Sequence, residues 1–474
     1  MKLVDLLDGI EYSGCADMEV KGIACDSRLV EDGYVFVCIK GYETDGHLYA
    51  GKAAEKGASV LLVQDDVDVD IPAVKVEDTR RIFALLCSRF YGNPTREFKL
   101  IGITGTNGKT TVTYLIKTIL ENEGQKVGLI GTNQNMIGEK VFKTERTTPD
   151  SFELNRLFRL MADEKCDTVI MEVSSHSLYL DRVYGCEFDV GAFTNLTQDH
   201  LDFHKTMDNY LDAKSILFTM CKKGVINKDD AASEKLLAKA KCPCITYGTD
   251  SLCDVKAGNV KLGAENVEFT IDGSFFSLAI PGKFSVYNAL TAISVCRALG
   301  LSDDKIAQGL LCAKGVKGRA QVVDLGLDFT VLIDYAHTPD GIENILNTAK
   351  GFAKGRVIIL FGCGGDRDNK KRPIMGEIAS SLADFCIITS DNPRTENPSE
   401  IIRQILEGVK GENYKVIENR REAIEYAVNI ACKDDVVILA GKGHETYQTI
   451  GKENFHFDEE EILFEVKDKM REKK

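Results

Sequence analysis

Apolar positions along the chain change their spacing twice. Near the N-terminus they form short runs at 34–39 and 59–63, separated by Gly/Asp turns and one helix-like stretch at 49–57. That spacing predicts a small α/β unit. Beyond Asn93-Pro94, a turn signal, the runs at 100–103, 127–131, 168–173 and 190–195 read as strands. Residues 112–124 and 151–164 read as helices, the second with Phe152, Leu157, Leu160 and Met161 near helical spacing. A further helix-like stretch covers 210–218. Residues 254–280 alternate around Asp272-Gly273, which predicts a hairpin. A helix then opens at 281–288 and runs to Leu299, and another covers 303–314. From 319 onward, strands at 330–334, 356–361, 385–389, 415–417 and 436–439 alternate with helical segments, the signature of an open, mostly parallel sheet. The charged tail after Asp458 reads as a terminal amphipathic helix. The expected class is α/β in three domains, 1–96, 97–318 and 319–474.

Polar residues cluster where the apolar runs stop. The strongest cluster is LIGITGTNGKTT, from Leu100 to Thr111. Here a strand enters a Gly-rich turn, then Lys-Thr, then a helix. Gly105, Thr106, Asn107, Gly108, Lys109, Thr110 and Thr111 can cradle phosphates. Glycines let backbone N–H groups approach, the helix N-terminus and Lys109 add positive charge, and the Thr110 hydroxyl can ligate Mg²⁺. Glu172 ends the 168–173 strand, where ligands meet an α/β sheet, and is a candidate Mg²⁺ ligand. His200 follows another strand among carboxylates, which favours a metal or phosphate role over a structural one. Lys214 lies in YLDAKSILF and reads equally as a directed amine or a lysine lying along the surface. In the C-terminal region the loops 334–339, 362–368, 390–394 and 441–445 lie past successive strands and define a second half-site. At the N-terminus, DSR (Asp26 to Arg28) and KGYETDGH are loop blocks that taken alone read as surface turns.

Composition narrows the classes. A net charge of −14 argues against a nucleic-acid-binding surface. No run approaches the ~18 apolar residues of a membrane span, and no h-region follows Met1, so the expected location is the cytoplasm. The 15 cysteines lack zinc-ribbon spacing and read as reduced thiols. Of the seven histidines, at least six fall inside the polar motif blocks.

GTNGKTT, EVSSH, TNLTQDHLDFH, the AK of YLDAKSILF, YAHTPD, GCGGDRD, DNPR and GKGHE, in this order, resemble the Mur ligases over essentially the whole chain. The resemblance implies an N-terminal domain for a UDP-sugar, a central ATPase domain and a C-terminal Rossmann-like domain that brings an amino acid. It implies ATP and Mg²⁺ as cofactors, UDP-MurNAc-L-Ala-D-Glu and meso-diaminopimelate as substrates, and an acyl-phosphate route to a tripeptide, ADP and phosphate. It implies a place in peptidoglycan precursor synthesis, and a monomer is expected.

Residue by residue, the resemblance gives the UDP-dipeptide to Ser27, Thr147, Thr148, Ser174 and Arg182. It puts Asn288, Arg319, Asp334 and His337 with the phosphate loop around ATP, and Thr110, Glu172 and His200 around Mg²⁺. It makes Lys214 an N6-carboxylysine, and counts Lys109, Lys214, His200 and Glu172 as catalytic. Diaminopimelate falls to Arg367, Asp391, Asn392, Pro393, Arg394, Gly441 and Glu445. Three positions depart from many relatives: Leu180 stands where a substrate-contacting glutamine occurs, and Ala320 and Gln321 alter the loop after Arg319. The competing readings are a lysine-adding ligase, a folylpolyglutamate synthase-like ligase, and a non-catalytic nucleotide-binding scaffold.

Overall fold

The computed structural model describes residues 1–41, 44–142, 144, 146–263 and 266–472. Tyr42 and Glu43 of the KGYETDGH block and the last two lysines of the expected terminal helix lie outside the described residues.

Near the N-terminus the strands Gly22–Ala24, Tyr34–Val37, Val60–Val63 and Ala73–Lys75 pair in parallel in that order. Val35, Val37, Val60 and Leu62 face one core, while Phe36 and Leu61 face the other. This split follows from the two-residue period of a strand covered on both faces. The helix Thr79–Phe90, which the sequence pattern did not single out, starts where Asp78 accepts from the N–H groups of Arg80 and Arg81. Phe152, on the helix Ser151–Asp163, packs into this first core, and its ring meets Tyr91 at 5.5 Å. That contact ties the first sheet to the second region.

The second sheet has nine strands. The strand Lys99–Thr104 is flanked by Thr168–Glu172 on one side and Phe188–Phe193 on the other, all parallel. The chain leaves Lys99–Thr104 to build one half of the sheet and returns to build the other, so a crevice opens at the C-terminal ends of these strands. The helix Lys109–Asn122 and the helix Lys283–Ala298 share one core with this sheet and with a three-stranded antiparallel sheet. The expected hairpin is the pair Val267–Ile271 and Ser274–Leu278, turning at Asp272 and Gly273 with φ of +51° and +88°. Both positive values suit the tight turn that Asp-Gly favours.

The third sheet runs Gln321–Val323, Thr330–Asp334, Val436–Ala440, Val357–Phe361, Phe385–Ile388, Tyr414–Val416, parallel except for its first strand. Val357, Ile359 and Phe361 enter the core on one face, and Ile358 and Leu360 enter the core on the other. Helices cover both faces, so every polar loop must emerge at a strand end. No helix among the described residues is long and apolar enough to cross a membrane.

The sequence pattern misplaced some elements. The helix expected at 210–218 is Met207–Ser215, because Thr206 caps it earlier by accepting from Asn209 N–H, and Ile216–Thr219 tightens into a 3₁₀ turn. The strand expected at 190–195 is Phe188–Phe193. The strands Cys221–Asn227 and Cys244–Gly248 went unread: Lys222, Lys223 and Gly224 interrupt the apolar pattern of the first.

Candidate active site

The phosphate loop leaves the sheet after Thr104 and closes on the N-terminus of the helix Lys109–Asn122. Gly108 has φ of +85°, and a Cβ there would stand 2.4 Å from Asn288 Oδ1. At Gly105 a Cβ would fall 1.9 Å from Thr194 Oγ1. These two glycines let the loop fold against its neighbours. Neighbouring polar groups pin the loop: Asn107 N–H donates to Asn195 Oδ1 at 2.8 Å, and Thr194 Oγ1 donates to the Asn107 carbonyl at 2.6 Å. Asn107 Nδ2 also donates to Asp340 Oδ2 at 2.7 Å, reaching an element that packs on the third sheet.

Two amines converge below the loop. Lys109 Nζ donates to the carbonyls of Gly105 and Thr106, each at 2.9 Å. Lys214 is 1% exposed, donates to the Gly105 carbonyl at 2.8 Å, and lies 4.4 Å from the Tyr210 ring centroid. Lys214 therefore does not lie along the surface. Burial pushes both amines below the usual lysine range; for Lys214 the charge of Lys109 adds to that push, and for Lys109 Glu172 opposes it.

Glu172, 1% exposed, faces the loop from the next strand. Its Oε1 accepts from Thr110 Oγ1 and Thr132 N–H, and its Oε2 from Thr132 Oγ1, all at 2.9 Å. Arg319 donates to Thr110 Oγ1 at 3.1 Å, and its guanidinium lies 4.5 Å from the Tyr335 ring. His200 closes this corner with φ of +54°. Burial lowers its imidazole to about 3, against the pull of Asp199, so the ring is neutral with a lone pair to offer. Thr110, Glu172 and His200 line one cavity of about 270 Å³.

The wall opposite comes from the third sheet. His337, Arg367, Asp391, Asn392, Arg394, Gly441 and Glu445 line the same cavity as Thr106 to Thr111. Asn392 Nδ2 donates to Glu445 Oε2 at 2.8 Å. Arg394, at φ of +50°, donates to the Gly365 carbonyl at 2.8 Å. It makes no ion pair among the described residues; Glu396 pairs with Arg372, and Glu400 with Arg403. Asp199 joins the two walls: its carboxylate lies 3.4 Å from His200 Nε2, 3.5 Å from Lys371 Nζ and 3.9 Å from His337 Nε2. Burial opposes its ionisation, but these groups carry it well below the usual carboxylate range. Burial brings His337 down to about 4.

A second cavity of about 380 Å³ adjoins the first through Asn107, Gly108, Thr111 and Arg319. Asn288 and Asp334 line it, with Tyr247, Phe284 and Tyr287. Asp334 also accepts from Ala320 N–H at 2.6 Å and Ala336 N–H at 2.7 Å, and Gln321 Oε1 accepts from Gly318 N–H at 2.8 Å. The two departures after Arg319 are thus part of a closed hydrogen-bonded turn.

The expected dipeptide residues do not share one cavity. Thr147 lines the first, whereas Ser27 and Arg182 line a third, about 670 Å³, with Arg28, Arg80, Arg146 and Leu180. Leu180 presents an apolar side chain there. Thr148 is buried, donating to the Glu172 carbonyl at 2.8 Å, and Ser174 caps the helix Ser175–Tyr179 by accepting from Ser177 N–H. Arg182, of the third cavity, donates to the Thr148 carbonyl at 3.1 Å, beside Thr147 of the first.

Sequence reasoning did not single out Thr132, Asp199, Lys371 or Lys442 as site residues. Thr132 follows the strand Val127–Ile130, and Lys442 stands inside GKGHE, so strand-end position was the available signal for both.

Comparison with known proteins follows this geometry. Three family profiles match: "Mur ligase family, catalytic domain" over residues 19–91, "Mur ligase middle domain" over 103–296, and "Mur ligase, glutamate ligase domain" over 318–443. The UDP-N-acetylmuramoyl-L-alanyl-D-glutamate--2,6-diaminopimelate ligase of Clostridium botulinum is 51% identical, covering 98% of this chain and 99% of the relative. The protein of that description from Caldanaerobacter subterraneus is also 51% identical, over 98% and 99%. A solved structure of a UDP-N-acetylmuramoyl-L-alanyl-D-glutamate--2,6-diaminopimelate ligase superposes with a TM-score of 0.72 at 29% identity, covering 99% of each chain. A folylpolyglutamate synthase of Mycobacterium tuberculosis shares the fold alone, with a TM-score of 0.65, 18% identity and 76% of this chain covered.

Proposed function

This chain belongs to the Mur ligase family, and we infer from its site that it is the ATP-dependent ligase that joins 2,6-diaminopimelate to UDP-N-acetylmuramoyl-L-alanyl-D-glutamate. The observation that carries the reading is one cavity bounded on one side by a phosphate loop and on the other by Arg367, Asn392, Arg394 and Glu445. A phosphoryl donor and an amino acid can meet there. We take 1–96, 97–318 and 319–474 as its domains.

The chemistry follows from the leaving group. A carboxylate does not form an amide with an amine at neutral pH, because oxide would have to leave. Transfer of the ATP γ-phosphoryl to the D-Glu carboxylate gives an acyl phosphate and ADP. The amino group, as its free base, then attacks the acyl carbon, the tetrahedral oxyanion collapses, the C–O bond to phosphate breaks, and the departing phosphate carries off the proton that the nitrogen loses. Transfer between two anions depends on position and positive charge. Lys109, Arg319 and the loop N–H groups from Gly105 to Thr111 supply that charge. The second cavity takes the nucleoside, with Asn288, Asp334 and the aromatic wall around it. His337 closes the nucleotide between the two walls. Ser27 and Arg182 hold the UDP-sugar end, and Thr147, Thr148 and Ser174 lie along the path from there to the reacting carboxylate.

The donors at Thr110, Glu172 and His200 fit Mg²⁺, being a hydroxyl, a carboxylate and a neutral imidazole on one cavity. Lys214, once its free amine had taken up CO₂ and lost a proton, would as a carbamate add an anionic oxygen beside this set. Mg²⁺ held there would neutralise phosphate charge.

Arg394 and Arg367 receive the distal carboxylate of meso-diaminopimelate, while Asp391, Asn392 and Glu445 receive its ammonium end. Pro393 and Gly441 shape the turns that carry them. The decisive experiment is ATP-dependent phosphate release from UDP-MurNAc-L-Ala-D-Glu with a panel of amino acids. Release with meso-diaminopimelate supports the reading; release only with lysine, or only with a folate acceptor, overturns it.

A further inference from the structure

Lys442 is fully buried and does not line the cavity, yet it touches two residues that do. Its Nζ donates to Asn392 Oδ1 at 3.0 Å and to Glu445 Oε2 at 3.2 Å. The Tyr447 and Phe457 rings enclose the amine, with centroids at 5.7 and 5.8 Å. A buried ammonium is costly unless it is paired and hydrogen-bonded, so its placement needs a reason.

The reason lies in which atoms Lys442 occupies. Asn392 Oδ1 takes Lys442 Nζ and the Thr449 N–H at 3.0 Å. With its carbonyl so engaged, the amide can turn only one way, and its Nδ2 donates to Glu445 Oε2. Glu445 Oε2 therefore accepts from both Asn392 and Lys442. Two donors thus hold Oε2, while Oε1 accepts only a long bond, 3.5 Å, from Tyr335 Oη, and Tyr335 and Glu445 line the same cavity.

The charges support the same assignment. Asp391 and Glu445 are two carboxylates beside one cavity. Asp391 Oδ2 is buried without a hydrogen-bond partner among the described residues, and Gly441 leaves room for it, since a Cβ there would come within 2.6 Å. Arg420 lies 3.9 Å from Asp391, but its short contact, 2.8 Å, is to Glu459. Burial and Asp391 both push the Glu445 carboxyl up, and Lys442 and Asn392 oppose them. Lys442 thus works against that rise from the side of Oε2, and an ammonium arriving at Oε1 would meet a carboxylate already held in place.

We propose that Lys442 is a positioning residue for amino-acid recognition: it orients Asn392 and Glu445 from behind the cavity so that Glu445 Oε1 captures the substrate ammonium. This rests on the ligase reading above and deepens it.

The test compares the full-length protein with Lys442→Met, which matches the stem without the charge, and Lys442→Arg. Diaminopimelate, ATP and the UDP-dipeptide are titrated in turn. The KM for diaminopimelate should rise roughly 30-fold or more in Lys442→Met, the scale of a lost contact to a charged group. The KM values for ATP and the UDP-dipeptide should stay within about twofold, because Lys442 touches Asn392, Glu445, Tyr447 and Phe457 and none of the residues assigned to those two substrates. Lys442→Arg should recover part of the loss. A merely structural lysine would raise all three constants together or none, and either outcome overturns the proposal. A crystal structure of Lys442→Met decides it independently: Asn392 and Glu445 should leave their present orientations, and unchanged side chains overturn the assignment. A wild-type protein that ligates no diamine would count against the reaction, while that structure would still decide the role of Lys442.

Discussion

Lys109 and Lys214 donate to the same acceptor, the carbonyl oxygen of Gly105, at 2.9 and 2.8 Å. They come from different elements, 105 residues apart in the chain. Two ammonium groups on one carbonyl in a buried site repel, and burial biases both amines towards the neutral form, with Asp199 opposing. Lys109 keeps Glu172 as an opposing charge, while the push on Lys214 is the larger. A neutral Lys214 amine is the form that reacts with CO₂.

Lys214→Ala should therefore lower kcat by roughly 10²–10³-fold, the scale for losing one electrostatic group in such a site. Added formate or acetate should restore part of it. Full activity without the small acids would reduce Lys214 to a structural amine.

Lys109→Ala should also cost roughly 10²–10³-fold in kcat, because it removes charge that follows the transferring phosphoryl group. Circular dichroism should be unchanged, since the side chain only returns to carbonyls of its own loop. Near-normal turnover would show that the loop holds no reacting phosphate.

Arg394→Ala should erase the preference for meso-diaminopimelate over L-lysine. With lysine bound, Arg394 faces the cavity without a carboxylate. Truncating one partner of such a pair costs about 2–5 kcal/mol. The ratio of kcat/KM for the two amino acids should fall towards unity, and an unchanged ratio would place the distal carboxylate elsewhere.

Stability should fall in mild acid. Burial holds His204 near about 4 and His444 near about 3, below the ~6.5 of an unfolded imidazole. The unfolded chain then binds more protons than the folded one between those values, so this stability is complete above the unfolded value and is lost as pH falls towards 4. Calorimetry should give a lower Tm at about pH 5 than at about pH 7.5. His204→Gln should flatten that slope; a slope of the same size would acquit His204.

Much of the fold was legible because strands and their loops are local. Val357–Phe361 and Val436–Ala440 are continuous apolar runs, and a strand covered on both faces must be one. The polar residues after these two strands and after Phe385–Ile388 had to emerge at the sheet edge, which put Arg367, Asn392, Arg394 and Glu445 in one set. Asp272-Gly273 declared its own turn. The strand Cys221–Asn227 was not legible, since its lysines and glycine break the local pattern and only its neighbours on the sheet make it a strand.

By itself, then, the order of residues determined the continuous apolar strands, the phosphate loop and the row of polar strand ends, because each depends on spacing within a few residues, whereas Cys221–Asn227 and Cys244–Gly248 took their strand character from their neighbours. Tertiary structure alone decided the partners. It put Lys214 on the carbonyl of Gly105 and buried Lys442 behind Asn392 and Glu445. It joined Asp199 to Lys371 across the two walls and sent Ser27 and Arg182 to a cavity apart from Thr147. The Gly105 carbonyl, Asn392 and Asp199 each take a partner from a segment far away in the chain, which spacing within a few residues cannot specify.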